Sequence, residues 1–189
     1  ASGPAYPDSS SWPQAQASVE KSALDLSPAA QELLRRETPK SLSNVTTQIT
    51  GSVRELCAAA AEECRAMGYE AVILTDQLCC EAREAGSFLA SILRTHAGNG
   101  RPVAFLAGGE TVVHLTGQGL GSDGTDGPTD AAGGYVDGDT LTALKAAGLD
   151  VFDVLQNNDA YHALKAVDGL IVTGPTGTNV NDVAVALLH

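Results

Sequence analysis

Three aspartates on one short, glycine-broken run are the residues whose types and spacing most clearly suit chemistry. Asp123, Asp126 and Asp130 fall in segment 122–133, which also holds Ser122, Thr125, Thr129, Pro128 and three glycines. Gly124, Gly127 and Pro128 forbid regular structure and force tight turns, so the carboxylates sit on a constrained loop. Oxygen ligands of this kind suit a hard cation such as Mg²⁺, or the hydroxyls of a polyol. The same composition also suits an acidic turn whose Asp and Thr side chains only cap backbone groups. A second candidate lies near the end of the chain. Segment 169–173 reads as a strand and 174–179 as a Gly/Thr-rich loop, and 180–188 is expected to close as a helix. Strand, loop and helix N-terminus would present amides and hydroxyls to a phosphate or carboxylate, at the positive end of a helix dipole. No Gly-Lys-Ser/Thr follows, so it is not a Walker A sequence. A third candidate is Gly108-Gly109, which can turn a hairpin or let the backbone approach an anionic ligand.

The elements that must position these loops follow from periodicity. Segments 45–49, 69–75, 103–107, 111–115 and 169–173 read as strands. Ser52-Val53-Arg54-Glu55 matches a capping box, and apolar residues from Val53 to Met67 recur at helical spacing until Gly68 stops the helix. A second amphipathic helix is expected over 80–96. Asp139 is expected to cap a helix over 140–147, 151–155 to form a short helical turn, and Asn157-Asn158 to open a helix over 159–167. Alternating strands and helices predict an α/β fold, with 69–75, 103–107 and 169–173 in one layered β-sheet with flanking helices. The loops 108–111, 123–130 and 176–179 should then gather on one side, where strand carboxyl ends collect ligands. Residues 1–43 are rich in proline and poor in apolar residues. They read as the tail of a preceding domain and a linker, irregular apart from a helical patch at 28–36, while 44–189 form the C-terminal α/β domain.

Composition narrows the partners. The chain has 189 residues, is 43% hydrophobic and carries a formal charge of −12, with 11 basic against 23 acidic residues. That balance argues against nucleic acid or an anionic membrane surface. There is no apolar run of about 18 residues and no signal-peptide pattern, and a cytoplasmic location is expected. The start lacks a methionine and is abrupt, as in a chain cut from something longer. Cys57, Cys64, Cys79 and Cys80 lack zinc-ligand spacing and read as buried, reduced thiols. Arg54, Arg101, Lys145 and Lys165 read as solvated charges.

Four phrases then coincide: Ala107-Gly108-Gly109-Glu110-Thr111, the run from Gly124 through Gly133, Asn157-Asn158-Asp159, and the run from Thr173 through Val180. In this order they resemble the glycerate 2-kinase family, whose C-terminal domain is called MOFRL and whose members are often labelled hydroxypyruvate reductase. Ser2-Gly3-Pro4 and Gly51-Ser52 look like that family too. The resemblance implies the C-terminal, MOFRL-type domain of a two-domain α/β glycerate kinase, with an incomplete MOFRL-like region from about residue 101. It implies ATP-dependent phosphorylation of D-glycerate to 2-phosphoglycerate, with Mg²⁺, in a cleft between domains. Carried onto this sequence, substrate and phosphate would be held by Ser2, Gly108, Gly109, Glu110, Thr111, Thr125, Thr176, Gly177, Thr178 and Asn179, and the metal by Asp123, Asp126 and Asp130. The catalytic residues are not assigned. Two departures stand out. The family's N-terminal domain with its lysine is absent. So is a Gly-Arg-Asn-Gln-Glu stretch that members carry before the Gly-Thr-Asp-Gly run, because Leu120-Gly121-Ser122 joins the two ends directly. The chain would therefore need a missing N-terminal domain or a partner chain, and alone it is expected to be inactive. The alternative is a non-catalytic, truncated or degenerate member that binds a small polar ligand or a partner chain. A hydroxypyruvate reductase is the weaker alternative, since no G-x-G-x-x-G opens a βαβ unit.

Overall fold

The structure, a computed structural model, describes residues 6–49, 51–112, 129–174 and 180–189. It divides into two units, Ala1–Ile49 and Thr50–His189. The first unit holds two short helices, α1 (Trp12–Lys21) and α2 (Pro28–Leu34). The first was expected to be irregular. Pro13 caused that error: it lies in the first turn of the helix, where a missing N–H costs nothing. Gln14 Oε1 accepts from the Ser11 N–H at 2.8 Å, and Glu37 accepts from the Trp12 N–H at 2.9 Å. Segment 45–49, expected as a strand, has no regular structure.

The second unit begins with α3 (Val53–Ala66), β1 (Glu70–Leu78), α4 (Ala82–His96) and β2 (Val103–Gly109). Ser52 Oγ accepts from the Glu55 N–H at 3.3 Å, which is the serine half of the expected capping box. Ser52→Ala is therefore expected to cost about 1 kcal/mol, read as a lower urea midpoint at unchanged slope. Gly68, at φ +93°, ends the helix, and the Tyr69 N–H closes back on the Cys64 carbonyl at 3.0 Å.

β2 is the middle strand of the sheet β1-β2-β5, parallel to β1 and antiparallel to β5. Its side chains alternate between two faces. Ala104 and Leu106 pack with Ala61 and Cys64 of α3, forming the most buried cluster. Phe105, on the opposite face, meets His96 at the end of α4, with ring centroids 5.0 Å apart. The sheet is thus covered by one helix on each face.

From residue 129 onward follow β3 (Gly133–Gly134), α5 (Thr140–Ala146), α6 (Val151–Gln156), α7 (Ala160–Ala166), β4 (Leu170–Ile171) and β5 (Asp182–Leu188). Two expectations fail here. Segment 169–173 does not join the main sheet: Leu170 and Ile171 pair antiparallel with Gly134 and Gly133 instead. Segment 180–188 is not a helix. Val183, Val185 and the alanines between them alternate like a strand, and the stretch pairs with β2 from Gly109↔Asp182 to Val103↔Leu188. Alanine and leucine suit helices, but a ready hydrogen-bonding partner along all of β2 decides in favour of the strand.

The cap of α5 is also reassigned. Asp139 makes no capping bond. Asp137 Oδ1 accepts from the N–H groups of Asp139 and Thr140 at 2.9 and 3.0 Å, and from the Thr140 hydroxyl at 2.9 Å. The Thr140 hydroxyl first, then the Asp139 N–H, hold the Asp137 carboxyl below its ordinary range. A lowered folded value stabilises above the unfolded one, about 3.9, and the benefit is lost as pH falls through the folded value. Asp137→Asn, which keeps an acceptor and removes the charge, should melt below the unmodified protein at about pH 6, and the gap should close by about pH 2. A gap independent of pH would show that the charge is not what caps α5.

Among the described residues, no helix is long and apolar enough to cross a membrane.

Candidate functional site at the carboxyl ends of β1 and β2

The carboxyl end of β2 carries Gly108 and Gly109, and both are needed for close packing rather than for a hairpin. A Cβ on Gly108 would overlap Cys57 Sγ and lie 2.8 Å from Val53 Cγ2, so α3 presses its first turn onto the strand here. Gly109, at φ +154°, has no room for a Cβ either, because the Leu78 backbone fills the space, with its Cα 2.7 Å away. The chain then runs on beside β1. The Glu110 N–H donates to the Leu78 carbonyl at 2.9 Å, the Val112 N–H to Cys80 at 3.0 Å, and Val112 bridges Glu81 in parallel.

β1 loses its regular register between Ile73 and Thr75 and again between Thr75 and Leu78. Asp76 and Gln77 fall in this irregular stretch, where the Gln77 N–H donates to Thr75 Oγ1 at 3.0 Å. Such bulges re-aim side chains. Asp76 Oδ2 accepts from Arg54 Nε, in the first turn of α3, at 2.7 Å. That hydrogen bond holds the Asp76 carboxyl below its ordinary range and raises the Arg54 guanidinium. Beneath the pair, burial and then the Asp76 charge push the Cys57 thiol up, so it stays protonated. The start of β5 completes the corner. Asn181, at φ +67°, donates from Nδ2 to Glu110 Oε2 at 3.3 Å, and a Cβ on Gly51 would lie 3.1 Å from Val180 Cγ1.

Of the residues expected to bind substrate or phosphate, Gly108, Gly109, Glu110 and Thr111 therefore lie at this corner. Asp130 accepts from the Tyr161 hydroxyl at 2.8 Å, which lowers its pKa, and the Lys165 ammonium lies 5.4 Å from the centre of the Tyr161 ring. Ser2, Asp123, Thr125, Asp126, Thr176, Gly177, Thr178 and Asn179 lie outside the described residues. The expected gathering of the loops 108–111, 123–130 and 176–179 rests on them in two of its three members. Because β5 is a strand, no helix dipole follows the 174–179 loop, which removes that part of the case for an anion there. Among the described residues, no group of three His, Cys, Asp or Glu could hold a metal ion. Sequence reasoning missed the Arg54–Asp76 pair, since nothing in the spacing of residues 54 and 76 links them before the helix and strand are packed. Arg54 and Lys165, expected as solvated charges, are both exposed, and each also has a partner, Asp76 and Tyr161. All four cysteines are free, but only Cys57 and Cys64 are buried; Cys79 is exposed and Cys80 half-buried.

A parallel β1–β2 pair sandwiched between helices, with glycines and an ion pair at its carboxyl end, defines an α/β domain. The MOFRL family model matches residues 120–182. The chain is similar to D-glycerate 2-kinase of Thermotoga maritima, with 44% identity over all of this chain and 52% of that protein. It is also similar to glycerate 2-kinase of Pyrococcus horikoshii, with 39% identity over 84% of this chain and 42% of that protein. A relative in Agrobacterium vitis that carries the name hydroxypyruvate reductase is 33% identical over the whole chain. The crystal structure of the Thermotoga maritima glycerate kinase superposes with a TM-score of 0.75 at 43% identity, covering 97% of this chain and 51% of that one. The chain belongs to the glycerate 2-kinase family and corresponds to its C-terminal part. It spans about half the length of the curated relatives it matches. The alignment with the Thermotoga maritima enzyme runs over 218 residues against the 189 of this chain, so that relative carries residues without a counterpart here.

Proposed function

We propose that the chain supplies the C-terminal part of a glycerate 2-kinase, which transfers the γ-phosphoryl of ATP to the 2-hydroxyl of D-glycerate. The observation that carries this is the 44% identity to a D-glycerate 2-kinase across the whole chain. Phosphoryl transfer needs positioning and charge neutralisation more than covalent chemistry. In this reading the corner at Gly108–Thr111 contributes backbone and side-chain polar groups to one wall of the substrate cleft, and the loop 174–179 contributes amides and hydroxyls. The opposite wall comes from the half that the relatives carry in addition. Asp123, Asp126 and Asp130 would hold Mg²⁺, which neutralises charge on the transferred phosphate. Asp130 fits such a set, since its hydrogen bond from Tyr161 keeps it ionised and it stays exposed.

The test is a coupled assay of ADP release with D-glycerate, ATP and Mg²⁺, on this chain alone and with the N-terminal half of a relative added. Release that depends on D-glycerate and appears only with the added half supports the proposal. Binding of small polar ligands with no ADP release in either case would favour a non-catalytic member.

A further inference from the structure

We infer that Arg54 is an oxyanion-binding residue of the carboxyl-end site and that Asp76 is its positioning residue. This rests on the kinase reading only for the identity of the ligand, not for the site itself. Asp76 engages Nε alone, at 2.7 Å, and the two Nη groups have no partner among the described residues. The Arg54 side chain is 76% exposed, whereas Asp76 is 22% exposed and fixed in the irregular stretch of β1. An arginine held by its Nε at a rigid carboxylate keeps the rest of its planar fork oriented and its charge permanent. That is the arrangement suited to two-pronged contact with a phosphate or carboxylate. The placement is equally specific. Gly108 lets the first turn of α3 press onto β2, and Arg54, in that turn, reaches Asp76 near the end of β1, where Leu78 pairs with Gly109. The corner also needs a cation if it receives an anion, since Asp76, Glu110 and Asp182 all bring negative charge to it.

A purely structural pair and an oxyanion site differ in which variant loses more. If the pair only ties α3 to β1, Arg54→Gln and Asp76→Asn break the same bond and behave alike. If Arg54 receives an oxyanion, Arg54→Gln removes the receiver, while Asp76→Asn keeps the receiver and loosens only its orientation. The experiment titrates the 189-residue chain and its variants with inorganic phosphate, D-glycerate and ADP by calorimetry at low salt, with circular dichroism and melting as fold controls. At least one of the three probes is expected to bind. Arg54→Gln should weaken it by about tenfold, and Arg54→Lys and Asp76→Asn by less, about threefold or under. Phosphate and ADP responding without D-glycerate would mark a phosphate site, and D-glycerate alone a carboxylate site. Binding by none of the probes, equal losses in Arg54→Gln and Asp76→Asn, or no change in Arg54→Gln would each overturn the assignment. Failure of the kinase reading looks different: oxyanion binding stays sensitive to Arg54 while the reconstituted protein releases no ADP.

Discussion

Supplied with D-glycerate, ATP and Mg²⁺, the 189-residue chain alone is expected to turn over at least about 10³-fold below the ~1–100 s⁻¹ usual for kinases. The magnitude comes from charge. The transferring phosphoryl spreads negative charge over its oxygens, and removing one stabilising arginine costs on the order of 10³-fold or more. The resemblance to the family implies a Gly-Arg-Asn-Gln-Glu motif that this sequence lacks, and the chain spans only about half of its relatives' length. Arg54, if it binds an oxyanion, holds a ground-state group and does not replace a domain that closes the cleft. Losses of this kind act on one transition state, so they do not simply add. Turnover within the ordinary kinase range from the chain alone would mean that every catalytic group already lies within it.

Gly109→Ala should lower stability by about 3 kcal/mol, seen as a fall in the urea midpoint. Two costs combine. At φ +154° an alanine adopts a backbone conformation that side chains rarely tolerate, and its Cβ would occupy the place of the Leu78 backbone. Flexible side chains can move aside, but β1 cannot do so without breaking its pairing with β2. Because Leu78, Gly109 and Glu110 share this contact, the variant should also disturb the corner, so ligand binding falls with stability. An alanine variant as stable as the unmodified protein would mean that the strands are not this close.

How much of this was legible beforehand depended on whether a feature is local. The helices α3 and α4 and the strands β1 and β2 follow from short-range periodicity, caps and stop signals, and Gly68 ends α3 as its sequence position suggests. The family was legible because its phrases are long and ordered. What local patterns cannot contain is partner choice. Residues 182–188 look as helical as they look extended until β2 offers them a ladder, and residues 170–171 pair with two glycines that no pattern marks as a strand. Gly108-Gly109 resembled a turn, yet the pair is a seat for α3 on one side and for β1 on the other. The Arg54–Asp76 pair joins two elements whose mutual orientation only packing sets. For the site, Gly108–Thr111 were reached through the resemblance, while Asp76 and Asn181 were found only in three dimensions.

The position of β5 has a consequence for how the sheet is made. β2 is flanked by β1, which precedes it closely in the chain, and by β5, which arrives only after all the residues between 110 and 181. The first pairing is local in sequence and can form while synthesis continues, whereas the second must close a long loop before it gains any hydrogen bond. Until then one side of β2, the strand bearing Leu106 and the core, is an open template for whatever extended segment it meets first. Growth of this protein on the ribosome therefore passes through a stage in which its most buried strand is half-paired, until residues 182–188 shield it.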